Sequence, residues 1–332
     1  MTMPLLTIAI PTWNRAVHLR RLLDALLPMT ADCAGRIEII VSDNGSTDDT
    51  PTVLAAACRD RPDVHVLRNA TNIGGDANFA RCFHQARGQY LWVIGDDDIP
   101  KTGFIPALLD LLDRDAPDIV YAPSEWLPEV LYADQGRPFD PQRRITMGRR
   151  DFARYVNVWL TFISGVIVRR AYAADRSDIA TFDGSLLVHM SWVLPALKHG
   201  TRFVVFADEP ILATAGNTGG YGAVKVFGAT FPTLVAQELG LASAEYQAMI
   251  GRTVSGYLPQ LIWGVRMGTV GRFESDFPWA LLREKIGGFA AFWLLDMAVG
   301  RAPIPVARGA LAVARSIATA HRIVDRRIRH RL

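Results

Sequence analysis

The first 125 residues contain four short strand-like segments that alternate with segments of helical apolar spacing, and this alternation constrains the fold more than any other feature. The strand-like segments are 5–10, 37–42, 64–69 and 90–95, and the helical segments between them are 16–27, 50–57 and 76–87. Such alternation is typical of a mainly parallel sheet with helices on both faces. We therefore predict an α/β fold whose ligands bind at the carboxyl ends of the strands.

Three consecutive aspartates, Asp96–Asp98, follow the fourth predicted strand. Adjacent carboxylates repel one another unless solvent or a cation neutralises them. Oxygen ligands of this kind suit Mg²⁺ or Mn²⁺, which also bind substrate phosphates. The alternative is an acidic turn in which Asp98 caps the helix predicted near residues 103–112. The residues alone leave both interpretations open.

A further carboxylate, Asp43, closes the second predicted strand, before the turn-rich sequence NGSTDDT. In a parallel sheet it lies beside the end of the neighbouring strand, where it can accept hydrogen bonds from a nucleotide base or a ribose. The alternative is a plain Asx turn. The chain has no GxxxxGK[ST] sequence and no GxGxxG after its first strand, which argues against P-loop NTPases and NAD-dependent dehydrogenases.

The composition is that of a globular protein, because half of the 332 residues are hydrophobic and 21% are charged. Three cysteines without CxxC spacing predict reduced thiols rather than a disulfide framework or structural zinc. The N-terminal residues lack the basic region of a signal peptide. No segment approaches the roughly 20 apolar residues of a membrane-spanning helix. We therefore expect a cytoplasmic location.

The C-terminal segment 301–332 is strongly basic, with eight arginines and one aspartate. Its net charge is thus +7, which leaves −4 for residues 1–300 given the total of +3. Five of the arginines recur at intervals of seven residues, near one side of a helix, at 301, 308, 315, 322 and 329. An amphipathic basic helix on an anionic membrane surface is one interpretation, and an ordinary solvated helix is the other. We expect no nucleic-acid partner, because no aromatic residues are interleaved to stack on bases.

Four sequence segments, in order and with similar spacing, resemble the family 2 glycosyltransferases, whose fold is called GT-A. They are PTWNR (11–15), VSDNGSTDDT (41–50), RNATNIGGDANFARC (68–82) and ARGQYLWVIGDDDIPKTGFI (86–105). The variant GDDD and the segments NIGGD and NTGGY are most similar to the bacterial abequosyltransferase-like enzymes of surface-polysaccharide synthesis. The resemblance implies a nucleoside-diphosphate sugar donor, a saccharide acceptor and a divalent cation, Mn²⁺ or Mg²⁺.

The resemblance also implies roles for individual residues. Pro11, Thr12 and Trp13 match the segment that lines the base, and Asp43 matches the acid that bonds it. Arg68 and Asn72 match positions near the nucleotide. Asp96 and Asp97 match the region that holds ribose and metal, although Gly95 replaces the first aspartate of the family's pattern. We therefore expect Asp97 as the metal ligand, with Asp98 as the second choice.

The catalytic base is also predicted through the resemblance. The family's usual reaction is an inverting displacement, in which a base takes the proton of the acceptor hydroxyl. That base is usually an acid about 11 residues before a glycine that closes its helix. Counting back from Gly200 gives His189, whose ordinary pKa of about 6.5 suits a general base. Asp183 is the reserve candidate, and the alternative for His189 is simple helix packing.

We predict three regions. They are a nucleotide-sugar-binding half of the GT-A domain (1–125), an acceptor-binding half (126–230) and a mostly helical region with the basic amphipathic tail (231–332). The glycine-rich segment 217–225 is a candidate loop over the donor diphosphate. A lipid-linked oligosaccharide is the expected acceptor, which places the chain peripherally on the cytoplasmic face of the inner membrane. The rival functions are a catalytically silent nucleotide-sugar-binding scaffold and a sugar-phosphate nucleotidyltransferase.

Overall fold

The computed structural model describes residues 3–33, 35–59, 61–215, 220–270, 273–275 and 277–330. Its strands are β1 (Leu6–Thr12), β2 (Ile37–Asp43), β3 (Val64–Arg68), β4 (Tyr90–Val93), β5 (Ile99–Pro100), β6 (Ile119–Tyr121), β7 (Ser124–Leu127), β8 (Arg144–Met147), β9 (Val166–Arg169), β10 (Phe203–Phe206) and β11 (Ile211–Thr214). They form an eight-stranded sheet in the order β3-β2-β1-β4-β9-β6-β10-β8 and a three-stranded sheet in the order β5-β11-β7.

The α-helices are α1 (Ala16–Thr30), α2 (Thr50–Ala57), α3 (Gly75–Gln85), α4 (Phe104–Asp115), α5 (Arg149–Val156), α6 (Met190–His199), α7 (Ala223–Lys225), α8 (Phe231–Leu239), α9 (Ala244–Arg252), α10 (Leu258–Arg266), α11 (Trp279–Ile286), α12 (Met297–Arg301) and α13 (Ile304–His330). Single π-helical turns at Val226–Thr230, Thr253–Tyr257 and Phe292–Asp296 lie between helices of the C-terminal part. Short 3₁₀ turns flank β9.

The sheet confirms the predicted α/β fold and adds antiparallel strands to it. Strands β1 to β4 are mutually parallel, as the alternation of the first 125 residues predicts. Strand β9 pairs antiparallel with both β4 and β6, and β8 pairs antiparallel with β10. Strand β9 is short, and a 3₁₀ turn at Arg170–Ala173 follows it directly.

Contacts between Cα atoms divide the chain into two compact units. The first comprises Met1–Met147 and Leu160–Ala215 and contains both sheets. Its core includes the edge-to-face rings of Trp92, Phe104 and Phe206, an arrangement favoured by the aromatic quadrupole. The functional division at residues 125 and 230 stays a prediction.

The second unit comprises Gly148–Trp159 and Gly216–Leu332 and is helical in its described part. Its helix α13 forms where the basic heptads predict one. Part of the apolar side of α13 packs inside the unit, since Leu311 is buried while Val306 and Val313 are exposed. Among the described residues, no helix is both long enough and apolar enough to cross a bilayer.

Candidate active site

The carboxyl ends of β1, β2 and β3 lie in register at one edge of the larger sheet. Thr12 pairs with Asp43, and Asp43 pairs with Arg68. Strand β4, which pairs with β1, ends at Val93, and Asp96–Asp98 follow it in a turn. The polar groups that the sequence places at three separate strand ends therefore share one edge, where parallel sheets bind ligands.

Asp96 connects the end of β4 to the end of β1. Its Oδ2 accepts a hydrogen bond from Thr12 Oγ1 at 2.6 Å, and its Oδ1 lies 2.9 Å from Arg15 Nε. Burial raises the pKa of Asp96 to about 7, although the charge of Arg15 opposes this effect. Arg15 immediately precedes α1 and brings its guanidinium to the aspartates.

Asp97 is the aspartate of the triplet that reaches solvent. Its side chain is 19% exposed, compared with 7% for Asp96. Its Oδ2 lies 2.8 Å from Arg15 Nη2, so the one guanidinium bridges both carboxylates. The Asp97 backbone carbonyl accepts a hydrogen bond from Thr214 Oγ1 at 3.3 Å. Asp97 is thus fixed at its backbone while its carboxylate faces outward.

Asp98 holds the turn together from inside. It is 6% exposed, and its Oδ2 accepts a hydrogen bond from Ser164 Oγ at 2.5 Å. Ser164 Oγ in turn accepts the backbone N–H of Gly95 at 2.8 Å. Burial, and then the charge of Asp97, raise the pKa of Asp98. The alternative that Asp98 caps a helix is wrong, since α4 begins after Gly103 without any side-chain cap.

The donor set at the triplet fits a divalent cation that shares its coordination with a substrate. Among the described residues, no group of three or more His, Cys, Asp or Glu side chains could enclose a metal ion by itself. Mg²⁺ needs no such group, because it is commonly held by one or two carboxylates together with substrate phosphates and water. Both carboxylates are engaged, Asp97 with Arg15 and Asp98 with Ser164, but the side chain of Asp97 is the more exposed of the two and is better placed to reach a cation bound to a substrate.

Asp43 lies fully buried at the mouth of a small cavity. Its Oδ1 accepts the backbone N–H of Ser46 at 2.9 Å, which is the turn bond that the plainer interpretation predicts. Its Oδ2 lies 3.4 Å from Arg68 Nη1. A cavity of about 240 Å³ opens beside this pair, with apolar walls that include Leu54 and Val66. A buried acceptor with apolar walls is the environment that a planar base with an N–H donor requires.

The other predicted nucleotide contacts lie around the same edge. Trp13 is 49% exposed, and Pro11 is partly buried within β1. Asn72 Oδ1 accepts hydrogen bonds from Asn44 Nδ2 and from the backbone N–H of Gly74, each at 2.8 Å. These bonds hold the loop after β3 against the loop after β2.

Gly45 makes this close approach of the two loops possible. Its φ is +73°, and a Cβ at this position would lie 2.7 Å from the carbonyl carbon of Thr71. Only glycine combines this left-handed backbone with such a short distance between loops.

The two candidate bases lie before α6. His189 is 4% exposed and immediately precedes the helix, and burial lowers its pKa to about 4. Its Nε2 has no hydrogen-bond partner among the described residues. Asp183 is exposed in the turn upstream. In the described part of the chain the structure brings neither residue within hydrogen-bond distance of Asp96–Asp98.

Asp76, which the sequence analysis did not single out, anchors the segment before His189. It is 6% exposed, and burial raises its pKa. Its Oδ2 accepts the backbone N–H of Leu186 at 2.9 Å and its Oδ1 that of Val188 at 3.4 Å. Leu186 has a φ of +61°, which is unfavourable for a leucine. Strained backbone of this kind persists only where surrounding contacts hold it, and it concentrates at functional sites.

We expect Asp76→Ala to destabilise the chain by about 1–3 kcal/mol, because two enclosed backbone N–H groups lose their acceptor. Urea unfolding measures the loss, and limited proteolysis should show faster cleavage within residues 183–188. Asp183→Ala is the matched control, since this neighbouring acid is exposed and its loss should change stability by less than about 0.5 kcal/mol. Equal stability of the two variants would contradict the anchoring role of Asp76.

Three contributors to this region escaped sequence reasoning for different reasons. Arg15 belongs to the PTWNR segment, but nothing local says where its side chain points. Ser164 is 66 residues from the aspartate that it bonds. Asp76 ends the NIGGD segment, which was the available signal, yet its partners follow 110 residues later. The proposed loop at 217–225 lies in part outside the described residues, which resume at residue 220.

Comparison with known proteins gives one family and several partial relatives. Residues 7–174 match Glycosyl transferase family 2. Abequosyltransferase RfbV of Salmonella typhimurium is 33% identical over 114 residues, which is 34% of each chain. The GalNAc(5)-diNAcBac-PP-undecaprenol beta-1,3-glucosyltransferase of Campylobacter jejuni is 31% identical over 108 residues, or 32% of this chain and 34% of that one. The matches therefore span about a third of these curated relatives.

Solved structures share the fold over nearly the whole chain. The crystal structure of residues 1–349 of S. aureus TarS in complex with UDP-GlcNAc superimposes with a TM-score of 0.57 and 16% identity. It covers 96% of this chain and 91% of that one. The crystal structure of the same TarS residues, described without a nucleotide, gives a TM-score of 0.56. At this level of identity the likeness concerns the fold alone.

Proposed function

The chain belongs to glycosyl transferase family 2, and from this premise we propose that it transfers one sugar from a nucleoside-diphosphate sugar to an acceptor hydroxyl. The observation that carries the proposal is the shared sheet edge, where Asp96 bonds Thr12 and where Asp43 lies on the next strand. Acidic groups with different exposure at one edge suit a ligand that has a base, a ribose and a diphosphate. The name of the TarS complex, which contains UDP-GlcNAc, is consistent with such a donor.

In the proposed donor complex, the base occupies the cavity beside Asp43 and gives a hydrogen bond to that carboxylate. Pro11, Thr12 and Trp13 line the base, and the exposed indole of Trp13 is free to stack on it. Arg68, which is half-exposed beside Asp43, neutralises that carboxylate and faces the nucleotide. Asn72 keeps the loop after β3 in place, and Asp96 accepts a ribose hydroxyl.

A divalent cation held by Asp97, with Asp98 as the alternative ligand, would neutralise negative charge on the leaving diphosphate. Arg15 would have to move when the cation binds, since its guanidinium bridges Asp96 and Asp97 in this structure. Release of Arg15 Nη2 from Asp97 would free a carboxylate oxygen. Its Nε would still pair with Asp96 and keep the turn after β4 in place.

The proposed reaction is a single displacement with inversion. A base accepts the proton of the acceptor hydroxyl, the hydroxyl oxygen bonds to the anomeric carbon, and the bond from that carbon to the diphosphate oxygen breaks. His189 is the proposed base because of its position directly before α6. Burial keeps its imidazole neutral near pH 7, although the same lowering of its pKa to about 4 makes it a weaker base than an ordinary histidine. Asp183 is the second candidate. The strained backbone at Leu186 between them supports a functional role for this segment.

The proposed acceptor is a lipid-linked oligosaccharide of bacterial surface-polysaccharide synthesis. The support is the name of the Campylobacter jejuni relative, which acts on a polyprenol-linked saccharide, together with the basic helix α13. The exposed arginines of that helix, including Arg308 and Arg315, would attract an anionic membrane by about 1 kcal/mol each. This would place the chain peripherally on the cytoplasmic face of the membrane.

We expect one nucleoside diphosphate among UDP, GDP, CDP and dTDP to raise the thermal unfolding temperature, and the shift should grow with Mn²⁺ or Mg²⁺ and shrink with EDTA. Asp43→Asn should reduce the shift, because the amide has one acceptor oxygen and cannot accept both the Ser46 backbone N–H and a base N–H, as the two carboxylate oxygens can. Asp49→Asn is the matched control, since Asp49 is an exposed acid of the same loop. The absence of a shift with all four nucleotides would contradict the proposed donor site.

A further inference from the structure

The helical unit contains a basic cavity that the proposed transfer reaction does not use. Its volume is about 330 Å³, within the range of small-molecule sites. The lining comes from α5, α9, the π-helical turn that follows α9, and α13. The lining residues are Arg150, Arg154, Ala244, Gln247, Ala248, Gly251, Arg252, Ser255 and His321.

Among the residues that the structure describes, the polar side of this cavity consists of cations and hydrogen-bond donors, and no carboxylate lines it. Arg150, Arg154 and Arg252 bring three guanidinium groups to one space, and His321 adds an imidazole. Within the described part of the chain, the side chains of Arg150 and Arg154 form no hydrogen bond or ion pair. Like charges that converge in this way repel one another unless an anion joins them.

The walls place these groups at different depths. Arg252 is 8% exposed, and its Nε donates a hydrogen bond to the Arg154 backbone carbonyl at 3.3 Å, so it forms the floor. Arg150 and Arg154 are exposed one helical turn apart on α5, at the rim. Ala244, Ala248 and Gly251 complete the lining with small residues.

The pKa of His321 reflects the positive charge around the cavity. Burial and the charges of Arg252 and Arg154 lower its pKa to about 4, so the imidazole is neutral near pH 7. A neutral imidazole donates one N–H and adds no further repulsion. A polyanion with several acceptor oxygens matches this set of donors.

We propose that this cavity binds a phosphate-type anion, either free or as the phosphate headgroup of a lipid. A guanidinium group can donate two parallel hydrogen bonds to the oxygens of one phosphate, and arginine is therefore common at phosphate-binding sites. Gln247 and Ser255 provide neutral donors beside them. The site lies entirely in the helical unit and does not depend on the proposed donor site.

The test uses the full chain and two double variants with equal loss of charge. Arg150→Gln/Arg154→Gln removes the rim of the cavity, and Arg308→Gln/Arg315→Gln removes two exposed arginines of α13 that do not line it. Calorimetric titration with inorganic phosphate measures the free anion. Sedimentation with phosphatidylcholine vesicles, with and without phosphatidic acid, measures the headgroup. All four substituted arginines are exposed, so both variants should fold.

We expect saturable phosphate binding that weakens about tenfold or more in the cavity variant and stays unchanged in the α13 variant. If the cavity variant also binds phosphatidic acid vesicles about tenfold or more weakly than the unmodified chain does, the anion is a lipid headgroup. If the cavity variant binds these vesicles as tightly as the unmodified chain, it is a free phosphate. Equal binding of both probes by both variants, or no saturable binding by the unmodified chain, would overturn the proposal. Nucleotide-dependent thermal shifts in the same preparations test the donor site separately.

Discussion

Asp97→Asn is expected to lower sugar transfer about 10²- to 10³-fold, the usual effect of removing one electrostatic contact to charge that develops in a transition state. The reason is that Asp97 has the solvent-facing carboxylate of the triplet, at 19% exposure. The variant should also lose the dependence of the nucleotide thermal shift on Mn²⁺ or Mg²⁺. Release of nucleoside diphosphate from the donor identified by the thermal-shift panel measures turnover.

Asp98→Ala separates metal ligation from support of the turn. Asp98 is enclosed and accepts the hydrogen bond of Ser164, and alanine cannot accept that bond, so the substitution should lower the unfolding temperature of the nucleotide-free chain. The cation dependence of the nucleotide shift should survive in this variant. If Asp98→Ala instead abolished that dependence while leaving the unfolding temperature unchanged, the metal ligand would be Asp98 and the assignment to Asp97 would be wrong.

His189→Ala is expected to lower turnover about 10²- to 10⁴-fold, which is the typical contribution of a general base. Donor binding should persist, because His189 has no bond to the groups proposed to hold the nucleotide. Product formation and the nucleotide thermal shift are measured on the same sample, which distinguishes lost chemistry from lost folding. Asp183→Asn is the control on the exposed neighbouring acid and should retain turnover.

The pH dependence gives a second readout for the histidine. A general base works in its neutral form, so turnover should fall as the pH drops through its pKa. Because burial lowers the pKa of His189 to about 4, the acidic limb should lie well below the ordinary imidazole value of about 6.5. Full turnover in His189→Ala, with a loss in Asp183→Asn, would assign the base to Asp183. A chain that binds nucleotide with no turnover in any form would be a scaffold.

Local pattern was sufficient for the parallel half of the sheet. The segments before Pro11 and Asp96 are mostly apolar because both faces of such strands are covered, and the chain returns through a helix between successive parallel strands. The edge that collects Asp43 and Asp96–Asp98 follows from this topology alone. The position of β9 between β4 and β6 could not be predicted in this way. Strand order depends on pairing between distant segments, and the four residues of β9 do not specify their partners.

The sequence by itself therefore determined the fold class, the sheet edge that gathers the polar groups, and the basic character of α13. Only the tertiary structure decided how each carboxylate is used. Ser164 encloses Asp98, Arg15 bridges the other two aspartates, and Asp76 holds the strained segment before His189. These partners lie far apart along the chain, from 66 residues between Asp98 and Ser164 to 110 residues between Asp76 and Leu186. The burial of these polar groups influences their charge state. It results from the packing of distant segments, so the local sequence pattern around each group does not predict it.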